Sequence, residues 1–419
     1  MKAFGNIYVN QKSQQEESTL SKFTQHFLMS HRDVKEFVTE ELELFSKHAK
    51  LTVSEIGDGN INYVFQVVDE TSGKSVVVKQ ADVLLRSSGR PLDISRNKIE
   101  ADILKIQYDL VPEFIPEIFN YHETMSALTM EDISAFKNLR YELMEEQIFP
   151  NFAEEISTFL AKALLPTTDL CWDRHEKKEL VKNFTNVDMC DISEDLVFTE
   201  PYYNYKGQNI IIEANQQFVE EHIYQNDALV SHVATLRNKY MNNAQALVHG
   251  DLHSGSIFIN QEGIKVIDPE FAFYGPMGYD IGNVIGNLFF PLARAHYYNG
   301  DKQFQAWLEL TIAEVYDQVK DKLVAVYNER VTLPLYTKAI FKASYLAEVM
   351  ADSLGYAGTE IIRRVIGDSK VKEVSEAPLG EERIAMERAL LKMGIELITQ
   401  RKEIVTGTEL VRRFNMIMA

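Results

Sequence analysis

Apolar and polar positions follow more than one rhythm along this chain. Residues 1–20 are polar and rich in Gln and Glu, and predict a lead-in with no core of its own. From Phe23 to Ser46 the apolar residues recur at roughly helical spacing, which predicts one or two helices. The period then shortens. Leu51–Ile56, Tyr63–Val68 and Ser75–Lys79 are rich in β-branched and aromatic residues and are parted by Gly57-Asp-Gly-Asn60 and Asp69-Glu-Thr-Ser-Gly73. Such runs between turn residues predict three antiparallel strands joined by hairpins. The helical period returns over Asp93–Leu110, where Ile99, Ile103, Ile106 and Leu110 share one face. Two more strands are expected near 117–121 and 127–130, and the sequence after Met130-Glu-Asp-Ile133 reads as mostly helical. The pattern predicts an α+β chain of two lobes: residues 21–133 as an antiparallel sheet with a helix, and residues 134–419 as a larger, mainly helical lobe.

Length and charge narrow this picture. At 419 residues the chain can bury a sizeable core in each lobe. Its formal net charge of −19 argues against nucleic acid or an anionic membrane as the main partner. A phosphate-bearing ligand therefore needs a local site built from Lys, Arg, Mg²⁺ and backbone N–H groups. Cys171 and Cys190 are the two cysteines, too few for a disulfide framework, so a reducing cytoplasm is expected. The first residues hold no apolar signal core, and the apolar run Ile281–Leu292 is interrupted by Gly282, Asn283, Gly286, Asn287 and Pro291, so it is not expected to span a bilayer.

Several short constellations carry candidate chemistry. Gly57 and Gly59 in the first hairpin let backbone N–H groups approach phosphates, although the same residues suit an ordinary turn. Val76-Val-Val-Lys79 ends a strand on a lysine, and Glu100 follows about one helix later. A strand lysine on nucleotide phosphates, held by a helix glutamate, is the pairing that ATP-dependent phosphoryl transfer uses; Glu113 and Glu117 are nearby alternatives for its partner. Asp251 lies in the turn Leu247-Val-His-Gly-Asp-Leu252 after a short apolar run. A carboxylate on a rigid turn can orient a hydroxyl and take its proton. His249 is expected to brace that loop rather than act as a base. Asp268-Pro269-Glu270 follows across one expected hairpin turning at Gly263, and supplies hard oxygen ligands for Mg²⁺. Gly358-Thr-Glu-Ile-Ile-Arg-Arg-Val365 opens a late helix, and since adjacent helix residues diverge, at most one of Arg363 and Arg364 is expected to reach a site.

Taken together, the two-lobed layout, Gly57-Asp-Gly-Asn60, Lys79, His249-Gly-Asp-Leu252 and Asp268 resemble the kinase-like small-molecule phosphotransferases, a group that includes aminoglycoside phosphotransferases and choline kinases. Longer stretches, Glu55–Phe65, Met130-Glu-Asp-Ile-Ser134, His249–Phe258, Val266–Pro276 and Gly358–Arg364, are similar to the 5-methylthioribose kinase family from about residue 20 onward. The resemblance implies a bilobal protein-kinase-like fold, ATP and Mg²⁺ as cofactors, phosphorylation of the 1-hydroxyl of 5-methylthioribose in methionine salvage, and a homodimer. It implies that Asn60, Lys79 and Glu131, Asp132 and Ile133 at the lobe connection bind ATP, that Asp251 contacts the sugar as base, and that Asp268 and Glu270 hold magnesium. It implies that Arg363 and Arg364 bind the sugar or stabilise transferring charge. Two positions depart from the wider kinase pattern: Ser256 stands where many kinases place a metal-binding asparagine, and Asp-Pro-Glu replaces Asp-Phe-Gly, so Glu270 is expected to serve as the second metal ligand. A related phosphotransferase acting on another sugar, an aminoglycoside or an amino alcohol is the alternative. A scaffold without turnover would be expected to lack Lys79, Asp251 or Asp268. Met130, Phe65, Trp172, Phe271 and Tyr274 are candidates for an apolar wall around a methylthio group, with core packing the competing role.

Overall fold

The computed structural model describes residues 21–56, 62–82, 94 and 96–419. The expected lead-in at 1–20 and the glycine hairpin, with Gly57, Gly59 and Asn60, lie outside the described residues. The first lobe opens with a 3-10 turn at Lys22–Thr24 and helix α1 (His31–Glu36), whose Ser30 cap and Asp33 bond reciprocally, and α1 continues into a wide turn at Phe37–Glu41. Then come β1 (Leu51–Glu55), β2 (Tyr63–Asp69), β3 (Ser75–Gln80), α2 (Arg96–Leu110), β4 (Ile118–His122) and β5 (Ala127–Glu131). The sheet is antiparallel, in the order β1-β2-β3-β5-β4.

Alternation along these strands divides the core. Phe65, Val67, Val76, Val78 and Ala127 face the N-terminal segment, where Phe23, Val34, Phe37 and Val38 cover them. Val77, Leu128 and Met130 face the other way and join Ala101 and Leu104 of α2 in the main core. Lys79, two residues after Val77 and opposite Leu128, is thereby aimed at the inner side. Helix α2 is covered on two sides: Ala101 and Leu104 meet the main core, while Ile103, Ile99 and Ile106 pack with Phe184, Leu247, Ala272 and Tyr274. The double burial explains how Glu100, on a helix expected to show one apolar stripe, is only 1% exposed.

The second lobe holds β6 (Lys137–Asn138), α3 (Leu139–Met144), α4 (Phe152–Leu164), α5 (Arg174–Asn183), α6 (Val187–Phe198), α7 (Glu200–Tyr203), α8 (Gln216–Val219) and α9 (Asp227–Asn242). Short strands β7 (Ala246–Val248), β8 (Ile257–Ile259), β9 (Ile264–Val266) and β10 (Phe273–Gly275) carry the loops between them. Strand β10 pairs with β7, and β8 pairs with both β6 and β9. The remainder is helical: α10 (Gly278–Tyr297), α11 (Lys302–Arg330), α12 (Ala339–Ile366), α13 (Lys372–Ser375), α14 (Glu381–Thr399) and α15 (Gly407–Met418). This is the α+β, bilobal, protein-kinase-like arrangement that the sequence predicts.

Helix α10 is buried on nearly every side, and its interrupted apolar run is the central strut of this lobe. Gly278, Gly282 and Gly286 recur every fourth residue on one face, where a Cβ at each would press into the backbone of α12 at Val349, Ser353 and Ala357. Among the described residues no helix is long and apolar enough to cross a membrane. The expectation that Gly358 opens a helix is corrected: α12 starts at Ala339, and Gly358 lies inside it. A Cβ there would come within 2.5 Å of the Gly394 carbonyl of α14, so this glycine serves close helix packing rather than initiation.

Candidate active site

The loop after β7 is shaped by buried polar groups. Asp280, at the start of α10, accepts from the backbone N–H of His249 (2.7 Å) and of Gly250 (3.0 Å). Gly250 has φ +83°, and a side chain there would overlap the Phe271 carbonyl, so the loops at 249–251 and 267–271 lie against each other. His249 is fully buried; its Nε2 donates to the Ile267 carbonyl at 2.9 Å and its Nδ1 accepts from Asp251 N–H at 3.3 Å. That pattern fixes a neutral imidazole, and burial lowers its pKa. It is the bracing role expected of His249.

Asp251 projects from this turn with its side chain one-quarter exposed. Oδ1 accepts from Nη2 of Arg363 at 3.2 Å and of Arg364 at 3.4 Å, while His253 Nε2 faces Oδ2 at 3.4 Å. The expectation that at most one arginine reaches a site is therefore corrected. Both are buried, because long side chains from diverging Cα positions are gathered by Glu360, whose Oε2 pairs with Arg363 Nε and whose Oε1 accepts from Arg364 Nε at 2.9 Å. Desolvation pushes the Asp251 carboxyl up, but His253, Arg364 and Arg363 outweigh it and hold the carboxyl well below the usual range. His253 turns its Nδ1 to the Gly255 N–H at 2.9 Å, and burial lowers its pKa against the pull of Asp251. Ser256 braces the same loop, its hydroxyl donating to the Asp251 carbonyl at 3.1 Å.

Across the lobes, Lys79 Nζ donates to Glu100 Oε1 at 2.8 Å and pairs with Asp268. Glu100, not Glu113 or Glu117, is thus the lysine's helix partner. Burial drives the Glu100 carboxyl up, and Lys79 opposes it; the Lys79 ammonium, flanked by Asp268, Glu100 and Glu270, is raised in spite of its own burial. Asp268 is half exposed and sits at φ +70°, a left-handed conformation rare for a residue with a side chain. Backbone strain of this kind collects at functional sites. Its carboxyl is lowered, with Lys79 overcoming desolvation. Glu270, beyond Pro269, is 6% exposed and faces Arg96 Nε at 3.3 Å, with Asn62 Nδ2 at 3.5 Å. Burial and the nearby Asp268 raise it.

At the lobe connection, Glu131 turns its carboxylate to Lys265 Nζ (3.2 Å) and to Glu117 N–H (3.1 Å). Asp132 accepts from Gln66 (2.8 Å) and from Ser134 N–H (3.0 Å), so neither carboxylate stands free for a ligand, and Ile133 links them to the next turn. The apolar candidates divide. Phe65 lies in the outer core, Met130 and Tyr274 in buried clusters, and Trp172 bonds Glu176 at 3.2 Å. Phe271 presents its backbone to Gly250.

Five residues at the site escaped the sequence reading: Arg96, Arg140, Asp280, Asn287 and Glu360. Glu360 lies inside Gly358–Val365, three and four residues before the arginines, a helical ion-pair spacing that could have exposed it. The others are brought in by long-range packing. Arg140, from α3, donates to Ser254 Oγ at 3.2 Å and Asn287 Oδ1 at 3.4 Å.

The site therefore joins a lysine held by a helix carboxylate, two acidic residues on a strained turn, and an aspartate facing two arginines. Comparison with other proteins fits this chemistry. Residues 206–317, which include Asp251, Asp268 and Glu270, match the family described as "Phosphotransferase enzyme family". The chain is 35% identical to a methylthioribose kinase of Geobacillus sp. over 91% of this chain and 96% of that protein. It is 36% identical to a methylthioribose kinase of Bacillus velezensis, with 90% and 93% covered, and 33% identical to one of Yersinia pseudotuberculosis, with 87% and 91% covered.

Proposed function

The chain belongs to the methylthioribose kinase family, and from that premise we propose that it transfers the γ-phosphoryl group of ATP to the 1-hydroxyl of 5-methylthioribose, yielding the 1-phosphate in methionine salvage. The observation that carries the reading is the pairing of Asp251 with both Arg363 and Arg364 beside the Lys79–Asp268 contact. The acceptor oxygen forms a bond to the γ-phosphorus as the bond to the ADP oxygen breaks, and Asp251 orients the hydroxyl and receives its proton. Arg363 and Arg364 offer fixed forks to oxygens of an uncharged sugar whose product is anionic. They suit a cationic aminoglycoside or amino alcohol poorly.

Lys79, seated by Glu100, is assigned to the nucleotide phosphates, with Gly57, Gly59 and Asn60 of the hairpin and the backbone of Glu131, Asp132 and Ile133 as further ATP contacts. Asp268 and Glu270 are two hard carboxylates on one turn, a donor set that fits Mg²⁺ completed by waters and phosphate oxygens. Magnesium there would neutralise charge on the transferring phosphoryl group. We place the lobe boundary near residue 133, and assign the protein to the cytoplasm as a homodimer.

The test is ATP consumption with methylthioribose, ribose, choline and kanamycin. Turnover with methylthioribose is expected, and turnover restricted to choline or kanamycin would defeat the reading. Replacing Glu270 with Gln should raise the Mg²⁺ concentration needed for half-maximal rate and cut turnover by about 10²-fold, the scale of lost electrostatic stabilisation. Near-normal rate and metal dependence would remove Glu270 from the metal site.

A further inference from the structure

Two guanidinium groups side by side repel each other, and burial at Arg363 and Arg364 removes the water that would screen them. Both nonetheless converge on a single oxygen of Asp251. Glu360 makes this arrangement possible. Residues three and four apart on a helix share a face, so one carboxylate at 360 meets both arginines, each at its Nε. Gripped there, each guanidinium presents its outer Nη2 to Asp251. Glu360 is 1% exposed and is itself anchored: Asn287 Nδ2 on α10 donates to its Oε1 at 3.0 Å. Asn287 Oδ1 accepts from Ser254 Oγ at 3.3 Å and from Ser254 N–H at 3.4 Å, three residues beyond Asp251. One carboxylate on α12 is thus tied through α10 to the loop that carries Asp251.

We propose that Glu360 is a positioning residue for the acceptor: by clamping both arginines at Nε it fixes where their outer nitrogens meet the sugar hydroxyls and the transferring phosphoryl oxygens, relative to Asp251. This rests on the kinase reading above and adds a residue that touches neither substrate. Desolvation pushes the Glu360 carboxyl up, but Arg363 and Arg364 overcome it and hold it down at about 2, so the clamp stays charged. Without that charge the two arginines have Asp251 as their nearest carboxylate and close onto the group that the acceptor hydroxyl needs.

The test is a kinetic cycle of Glu360→Gln, Glu360→Asp, the paired Arg363→Lys/Arg364→Lys protein, and the Lys pair combined with Glu360→Gln, run on whichever acceptor the wild type turns over. Glu360→Gln should lower kcat by about a hundredfold while ATP affinity, measured by calorimetry, stays unchanged. Glu360→Asp keeps the charge but reaches one arginine, and should recover about tenfold of that loss. In the Lys-pair background, Glu360→Gln should cost less than about threefold, because residues acting as one unit are not additive. A Glu360→Gln enzyme within about twofold of wild type, or a loss undiminished in the Lys-pair background, would overturn the role. So would a parallel fall in ATP affinity, or a folded Glu360→Asp protein with either full or no recovered activity. A wrong acceptor shows in the wild type; a wrong role for Glu360 shows only in the variants.

Discussion

At the scale of single residues, the site is decided by where charge is buried and what opposes it. Asp251 faces His253, Arg363 and Arg364, which hold its carboxyl well below the ordinary range, so it is ionised at any working pH. Replacing it with Asn removes the proposed proton acceptor but keeps the shape, and should cost about 10²–10⁴-fold in kcat with ATP binding retained. An enzyme with full turnover would end its assignment as base. Glu360 supplies a stability prediction. Its carboxyl lies at about 2 in the fold against 4.5 unperturbed, so the folded state holds the proton less tightly than the unfolded chain. The stabilisation is fully present above pH 4.5 and is lost as pH falls from there towards 2. Glu360→Gln should therefore be less stable than wild type near neutrality and show a flatter fall in urea midpoint across that window. Parallel curves would contradict the linkage. These neighbours were not legible in the sequence beyond the helix itself: Asn287 and Arg140 reach the loop from elements remote in the chain, and no spacing rule reports that.

At the scale of elements, packing explains what periodicity left open. The glycines of α10 and Gly358 of α12 are contact surfaces where helix backbones meet, and a sequence pattern shows a glycine without showing what faces it. Gly358→Ala gains about 1 kcal/mol of intrinsic helix propensity. It also places a methyl 2.5 Å from the Gly394 carbonyl of α14. Overpacking against backbone costs about 1–3 kcal/mol, so the variant should unfold at lower temperature in spite of its better propensity. A raised midpoint would show that α12 and α14 separate freely. Strand assignments fared better, since Leu51–Glu55, Tyr63–Asp69 and Ser75–Gln80 have short apolar runs, one with a strict core face, and turn residues between them. The segment from Phe23 to Ser46 misled in length: apolar residues there recur at helical spacing, but α1 with its π-helical continuation over Phe37–Glu41 is shorter than that segment, and the flanking Phe23 and Phe45 pack onto the sheet.

At the scale of the whole molecule, the two lobes share apolar packing around α2, and besides that meet through charged pairs on one side and through hydrogen bonds to backbone on the other. On the backbone side, Val266 N–H donates to the Phe114 carbonyl at 2.8 Å and Lys265 Nζ to the Ile115 carbonyl at 3.1 Å. On the charged side, Lys79 of β3 meets Asp268 and Arg96 of α2 meets Glu270. These charged contacts use the same carboxylates that the proposed magnesium site needs, so nucleotide and metal must replace cations that the protein itself supplies. Arg96→Met separates the two demands. Breaking a buried pair by removing one partner costs about 3–5 kcal/mol, because a charge is left without its counter-ion. Glu270, 6% exposed, would lose its close partner and keep only the more distant Lys79, so the free variant should melt below the wild type by less than that full cost. If Glu270 ligates magnesium, Mg·ATP returns the missing positive charge, and ligand binding to the folded state raises the midpoint by mass action. The rise in melting temperature on adding Mg·ATP should then be larger in Arg96→Met than in wild type at the same ligand concentration. An equal or smaller rise would mean that Glu270 serves only as an interlobe tether, with Asp268 left as the carboxylate that meets the metal.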